Sequence, residues 1–257
     1  MGTYFKLKQL YRYLRNWKKL QSRHSKNSPN ENYAKEIEFY SQMIGKGDLC
    51  FDVGANVGDK SALFIELGAK VIAIEPQESC WRILKRRFKN LNVIVETVAL
   101  ASKSETKTLF VDRSHTLATM SQDWIDTVKQ SGRFSNHAWP DKLTVQTTTL
   151  DALIKKHGVA AFCKIDVEGF EFDVLQGLSQ PIRTISLEFI PERIDASLRC
   201  IDYLDKLGKA EFNYCLNNLT SFALSEWDDR EGIKATLTKT DKSIENYGDI
   251  YVRFVNG

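Results

Sequence analysis

The stretch Phe51-Asp52-Val53-Gly54-Ala55-Asn56-Val57-Gly58 decides the fold. Asp48–Val53 (DLCFDV) before it reads as a buried strand. Gly58–Leu67 after it reads as a helix, ended by Gly68, a natural left-handed cap. Between them Gly54 and Gly58 let the backbone turn sharply and approach a ligand closely, and the helix start beyond aims free N–H groups outward. The spacing is G-x-x-x-G, so this is not the G-x-G-x-x-G dinucleotide fingerprint. A turn that binds nothing would also use these glycines.

Outward from the loop, Lys70–Ile74 is a second strand, closed by Ile74-Glu75-Pro76. Glu75 falls about twenty residues after the loop, where a doubly wound sheet aims an acid at ribose hydroxyls. Loop and acid together point to an adenosyl ligand. Gln77–Lys89 reads as a helix and Asn92–Leu100 as a third strand. Strands separated by helices imply a parallel sheet covered on both faces.

The alternation breaks between Ser102 and Leu143, where Gly132 and Pro140 interrupt a mixed segment. Thr106–Val111 is expected as a short strand, Leu143–Thr148 as an edge strand and Thr149–His157 as a short helix. A long irregular insertion in an α/β domain is usually a lid or a binding loop. Alternation resumes with strand Ala161–Asp166, helix Phe170–Leu178, strand Thr184–Ile190 and helix Ala196–Leu207. Phe212–Leu216 and Asp249–Val255 are the last strands, joined by a connection containing Trp227. Lys164-Ile165-Asp166-Val167-Glu168-Gly169-Phe170-Glu171 places three acids at the C-terminal end of a strand, the edge where open α/β sheets bind ligands. Glu171 is expected to serve the helix dipole in the first helical turn.

The chain has 257 residues, 42% apolar and 27% charged, which suits one large domain or a domain with an appendage. Composition excludes a collagen-like repeat, low-complexity disorder and a disulfide scaffold. No run reaches the roughly 18 apolar residues of a spanning helix. The opening MGTYFKLKQLYRYLR lacks a signal-peptide core, and Lys6 stands where myristoylation needs Ser or Thr. Cys50, Cys80, Cys163, Cys200 and Cys215 have neither zinc nor disulfide spacing, so a reduced, cytoplasmic setting is expected.

Charge is uneven. Residues 1–26 hold eight bases and no acid, whereas the remainder is mildly acidic within a net +3. Leu7, Leu10, Tyr11, Leu14 and Trp17 follow helical spacing, so residues 1–32 are expected as a basic amphipathic arm with a linker at 22–32. The main domain is expected over 33–257. The arm admits three readings: packing on the domain, lying on an anionic membrane surface, or binding RNA phosphates.

The loop FDVGANVGDKS, the strand end IEP, and the segments TTTLDALIKKHG, KIDVEGFEFDVLQG and ISLEF occur in that order. Over about Gly47 to Phe189 this closely resembles the FkbM family of S-adenosylmethionine-dependent methyltransferases. The resemblance implies an α/β, class I methyltransferase (Rossmann-like) fold: a doubly wound seven-stranded sheet with its last strand antiparallel. It implies S-adenosylmethionine as cofactor and S-adenosylhomocysteine as product. Asp52, Gly54, Asn56 and Gly58 match the loop around the amino acid part of the cofactor. Glu75 matches the ribose acid, and Val98 and Ala99 fall where adenine usually rests. Asp166 and Glu168 match the DVEG motif near the transferring methyl.

An alcohol nucleophile needs its proton accepted as the new bond forms. Asp166 is the first candidate; Glu168, Glu188, His115 and His137 are alternatives, the last beside Trp139 in a sugar-stacking neighbourhood. Asp166 with Glu188 could also hold a divalent metal, but no third ligand is fixed and no metal is assigned. The implied acceptor is a hydroxyl of a sugar, glycan or related small molecule. A lipid-linked glycan would suit a membrane-surface arm. The insertion Ser114–Asp141 is then a lid or an acceptor-binding segment. Two rivals stand: an RNA hydroxyl methyltransferase anchored by the arm, and a non-catalytic cofactor-binding module. Methylation of a base amine is disfavoured, because Asp166-Val167-Glu168-Gly169 replaces the Asn/Asp-Pro-Pro-aromatic motif.

Overall fold

The computed structural model describes residues 31–255 apart from positions 114, 218, 219 and 242. The expected basic arm, and the linker up to residue 30, lie outside the described residues. At the linker's end a helix not expected from the sequence, α1 (Glu31–Ser41), already begins. It buries Phe39 and Tyr40.

The main sheet has seven strands. β1 (Leu49–Val53) and β2 (Lys70–Ile74) match the expected strands within a residue. The others are β3 (Val93–Glu96), β7 (Phe162–Ile165), β8 (Thr184–Phe189), β9 (Ala210–Leu216) and β10 (Gly248–Phe254). Their order is β3-β2-β1-β7-β8-β10-β9. β1 pairs in parallel with β2 and β7, β2 with β3, and β7 with β8. β10 alone runs antiparallel, to both β8 and β9. This is the doubly wound sheet that the family resemblance implies.

The third expected strand is corrected. Asn92–Leu100 divides into β3 and a separate β4 (Ala99–Leu100). Glu96 ends β3 and is held by Lys156 Nζ at 2.7 Å and His157 Nε2 at 2.8 Å. Past it the chain leaves the sheet, and β4 joins β5 (Thr106–Val111) and β6 (Asp141–Thr148) in a second sheet ordered β4-β6-β5. β6, expected as an edge strand from Leu143, is therefore the centre of its own small sheet.

Burial is continuous along β1 from Cys50 to Val53 because both faces are covered, and successive side chains enter opposite cores. Phe51 and Val53 enter the core beneath α5 (Leu150–His157), α6 (Glu171–Leu175), α7 (Ile194–Asp205) and α8 (Arg230–Lys239). Cys50 faces the other core, with α1 and α2 (Asp59–Glu66) and with Leu84 and Phe88 at the end of α3 (Glu78–Arg87). Lys85, Arg86 and Arg87 occupy the last turn of α3, where cations complement the helix dipole. α8 lies in the connection that contains Trp227, where the sequence reading places no element, with Asp229 Oδ1 capping it on Gly232 N at 2.9 Å.

The insertion is also corrected. It contains α4 (Gln122–Ser131), opened by Ser121 Oγ accepting from Trp124 N at 3.1 Å and closed by Gly132 at φ 84°. Leu117, Trp124, Ile125 and Val128 form a small core with Ile190. All five cysteines are buried and free. Among the described residues no helix is long and apolar enough to cross a membrane.

Candidate active site at the C-terminal edge of the sheet

Register sets the site. Val53 lies opposite Ile74 and Ile165, and Ile165 opposite Leu187. The residues that follow, Gly54, Glu75, Asp166 and Glu188, therefore emerge along one edge. Gly54 adopts φ 79°, and a Cβ there would stand 1.9 Å from the carbonyl oxygen of Asp166. Gly58 adopts φ 88°, and a Cβ there would meet Phe88 and Leu84 at 2.5 and 2.7 Å. Both glycines thus have steric reasons inside the chain: one lets the loop run against β7, the other lets α3 pack on the start of α2.

The loop is tied to the acid of the second strand. Asn56 N donates to Glu75 Oε2 at 2.9 Å and Gln77 N to Glu75 Oε1 at 2.8 Å. Glu75 is 3% exposed. Burial raises its pKa to about 7, against the pull of these two N–H groups. Asp52 is 1% exposed and takes a hydrogen bond from Ser61 Oγ at 2.5 Å. Burial raises its pKa, opposed by Lys164 and the Ser61 hydroxyl. Ala99 is buried in β4 beside Thr147, and Val98 packs on the main core.

At the other half of the edge, oxygens of Asp166, Glu168 and Glu188 all come within 4.8 Å of one another. Glu168 is the third carboxylate that spacing alone left open. Its backbone has φ 53° and is followed by Gly169 at φ 83°. A left-handed non-glycine residue costs about 1–2 kcal/mol, and such strain gathers at functional sites. The turn is held by Thr119 Oγ1 donating to Glu168 O at 2.7 Å, and by Glu171 Oε1 accepting from Val167 N and Gly169 N. Glu171 sits in the first turn of α6, as expected.

Charge divides the three acids into unlike roles. Lys164 Nζ lies 2.6 Å from Asp166 Oδ2. Burial opposes the lysine's charge, but Asp166, Asp52 and Asp249 outweigh it and hold its pKa above the ordinary lysine range. Burial lifts Glu168 and Glu188 well above the carboxylate range. Asp166 and Glu171 repel Glu168, and Glu168 and Asp166 repel Glu188. A cavity of about 220 Å³ opens beside Glu188, lined by Ser121, Trp124, Phe172, Arg193 and Ser197 among others.

The two histidines lie elsewhere than the acids. His115 Nδ1 is 2.7 Å from Asn56 Oδ1, on the glycine-loop side. His137 Nδ1 is 3.1 Å from Asp112 Oδ2. Trp139 lies perpendicular to Trp124 at 5.8 Å and beneath Lys129 at 5.5 Å, with Nε1 donating to Leu117 O. Lys164 and Thr119 were not singled out from sequence. The signal for Lys164 was present: two residues before Asp166 on a strand, it shares that residue's face. Thr119 carries no such signal.

The sequence model described as the methyltransferase FkbM domain matches residues 52–214. No curated protein matches the chain. Similar solved structures include an O-methyltransferase from Bacillus cereus, 12% identical, TM-score 0.45, covering 96% of this chain and 90% of that one. A TehB-like methyltransferase from Corynebacterium glutamicum is 10% identical, TM-score 0.43, covering 94% and 96%. An rRNA methylase from Streptococcus thermophilus is 11% identical, TM-score 0.42, covering 86% and 94%. These values are too low for the neighbours' substrates to be carried over.

Proposed function

The chain belongs to the FkbM methyltransferase family, an S-adenosylmethionine-dependent enzyme family, and on that premise we propose that it methylates a hydroxyl of a sugar, glycan or related small acceptor. The observation that carries this reading is the close Glu168–Glu188 couple beside the lysine-paired Asp166. The cofactor supplies a sulfonium methyl that is already electrophilic. What the chain must add is alignment and a proton acceptor for the attacking oxygen.

Glu168 and Glu188 fit the acceptor role, because burial and mutual repulsion raise their proton affinity well above that of an ordinary carboxylate. Asp166, Lys164's partner, fits an orienting role toward the hydroxyl. Asp52, Gly54, Asn56, Gly58 and Glu75 are proposed for the cofactor's amino acid and ribose, and Val98 and Ala99 for its adenine. An orphaned acceptor supports this fit: Gln77 Oε1, buried two residues past Glu75, has no hydrogen-bond partner among the described residues. The cavity beside Glu188 is proposed for the acceptor, with the insertion as its wall. Contact of residues 1–26 with an anionic membrane, a lipid-linked acceptor and a cytoplasmic setting are parts of the same reading.

The test is transfer of tritiated methyl from S-adenosylmethionine to fractionated cell glycans, glycolipids and RNA. Alkali-stable label in a glycan fraction, lost in Glu188→Gln, is expected. Label confined to RNA, or none in any fraction, would sink the proposal.

A further inference from the structure

Gln77 follows Pro76 at the start of α3 and is 4% exposed. Its own N–H is committed to Glu75 Oε1. Its side-chain Nε2 donates to the carbonyl of His115 at 3.1 Å. The amide is thereby fixed in place, yet its Oε1 is a buried acceptor with no hydrogen-bond donor among the described residues. An unpaired buried amide oxygen forfeits its hydration with no return, and chains rarely keep one without a use.

The surroundings say what the missing donor is. The Glu75 carboxylate, two residues away, also takes the N–H of Asn56. The Asn56 side chain is in turn held by His115 Nδ1. His115 comes from the insertion, 59 residues from Asn56. It keeps φ 69°, a conformation that histidine, asparagine and aspartate tolerate better than most residues. Three separated pieces of chain therefore meet at the acid expected for the ribose. The adenosyl half of the cofactor brings hydroxyls and an exocyclic amine, all hydrogen-bond donors.

We propose that Gln77 and His115 complete the nucleoside end of the cofactor site, Gln77 Oε1 accepting from a ribose hydroxyl or the adenine amine and His115 fixing Asn56 against Glu75. The insertion then belongs to the cofactor half of the site as well as to the acceptor half, where Thr119 already holds Glu168. This rests on the chain binding S-adenosylmethionine.

The experiment is calorimetric titration of the whole protein with S-adenosylhomocysteine, its 2′- and 3′-deoxy analogues and the analogue with hypoxanthine in place of adenine. Wild type should bind the parent compound. Gln77→Met should raise Kd by about tenfold, the effect of one buried hydrogen bond. One analogue should lose affinity for wild type but no further affinity for Gln77→Met, and that analogue names the donor. His115→Asn, which tolerates the left-handed backbone, should also weaken binding while the unliganded melting temperature stays within a few degrees. Wild type that fails to bind overturns the cofactor reading and this inference together. Wild type that binds, with unchanged Kd in both folded variants, overturns this inference alone. So does a Gln77→Met loss that is the same size whichever donor the analogue lacks. Should Gln77→Met not fold, His115→Asn decides the question.

Discussion

Lys164 places its ammonium 2.6 Å from the Asp166 carboxylate and stands opposite Asp52 in the register of β1 with β7. One buried cation thus links the strand that ends in the glycine loop to the strand that ends in the acidic motif. The row continues across the sheet through Ser186 and Tyr251.

Lys164→Met should strand the carboxylates it serves. Breaking a buried ion pair costs about 3–5 kcal/mol, and the lower end applies because the Asp166 side chain is 35% exposed and partly screened. Urea unfolding at pH 8 should show a loss of about 3 kcal/mol. The loss should be smaller at pH 5, because Asp52 and Asp249, whose pKa values burial raises, give up their charge at higher pH than ordinary aspartates do. A midpoint equal to wild type at both pH values would mean the lysine contributes no net stability.

Glu188→Gln should separate stability from activity. The folded state raises the pKa of Glu188, so its contribution is intact at low pH and is lost as pH rises through the folded value. The amide removes the repulsion with Glu168 and Asp166. The variant is expected to gain about 1–2 kcal/mol at pH 8 and little at pH 5, while methyl transfer falls by about 100-fold. Equal activity with no change in stability would remove Glu188 from the site.

Cofactor affinity should depend on pH through Glu75. Ribose hydroxyls donate to the ionised carboxylate, and burial raises the Glu75 pKa to about 7. Binding must therefore expel a proton below that value, so affinity for S-adenosylhomocysteine should weaken from pH 8 to pH 6. Glu75→Gln should bind more weakly and with a flat profile. A flat profile in wild type over the same range would contradict the role given to Glu75.

Gly132 and Gly169 share nearly the same backbone, φ 84° and 83°, but not the same surroundings. Nothing lies within 4 Å of a Cβ at Gly132, whereas one at Gly169 would meet Trp124 at 2.2 Å. Gly132→Ala should cost about 1 kcal/mol, the left-handed penalty alone. Gly169→Ala should cost about 3 kcal/mol or more, because the buried indole and the turn at Glu168 must both shift. Similar denaturation midpoints for the two variants would show that Trp124 does not press on this turn.

Most main-sheet strands were legible in the sequence because short apolar runs ending at Gly54, Pro76 and the Asp166 motif carry their own boundaries. The glycine loop, Glu75 and Asp166 were legible for the same reason: each follows a strand end, and parallel pairing puts strand ends on one edge. Helices α1, α4 and α8 were not. Their buried residues, such as Phe39, Trp124 and Ile233, are spaced among polar positions and gain their apolar partners only from other parts of the chain.

What the sequence alone determined is therefore the α/β class, the family, and which strand ends carry the candidate site residues, since these depend on local periodicity and on residues adjacent in the chain. The tertiary structure decided which charges meet. Lys164 with Asp166 and Asp52, Glu168 with Glu188, Thr119 with the Glu168 carbonyl, and His115 with Asn56 are outcomes of strand register and of where the insertion docks. Electrostatic and hydrogen-bond energies fall off within a few ångströms, so such pairings acquire their meaning only once folding has set the distances.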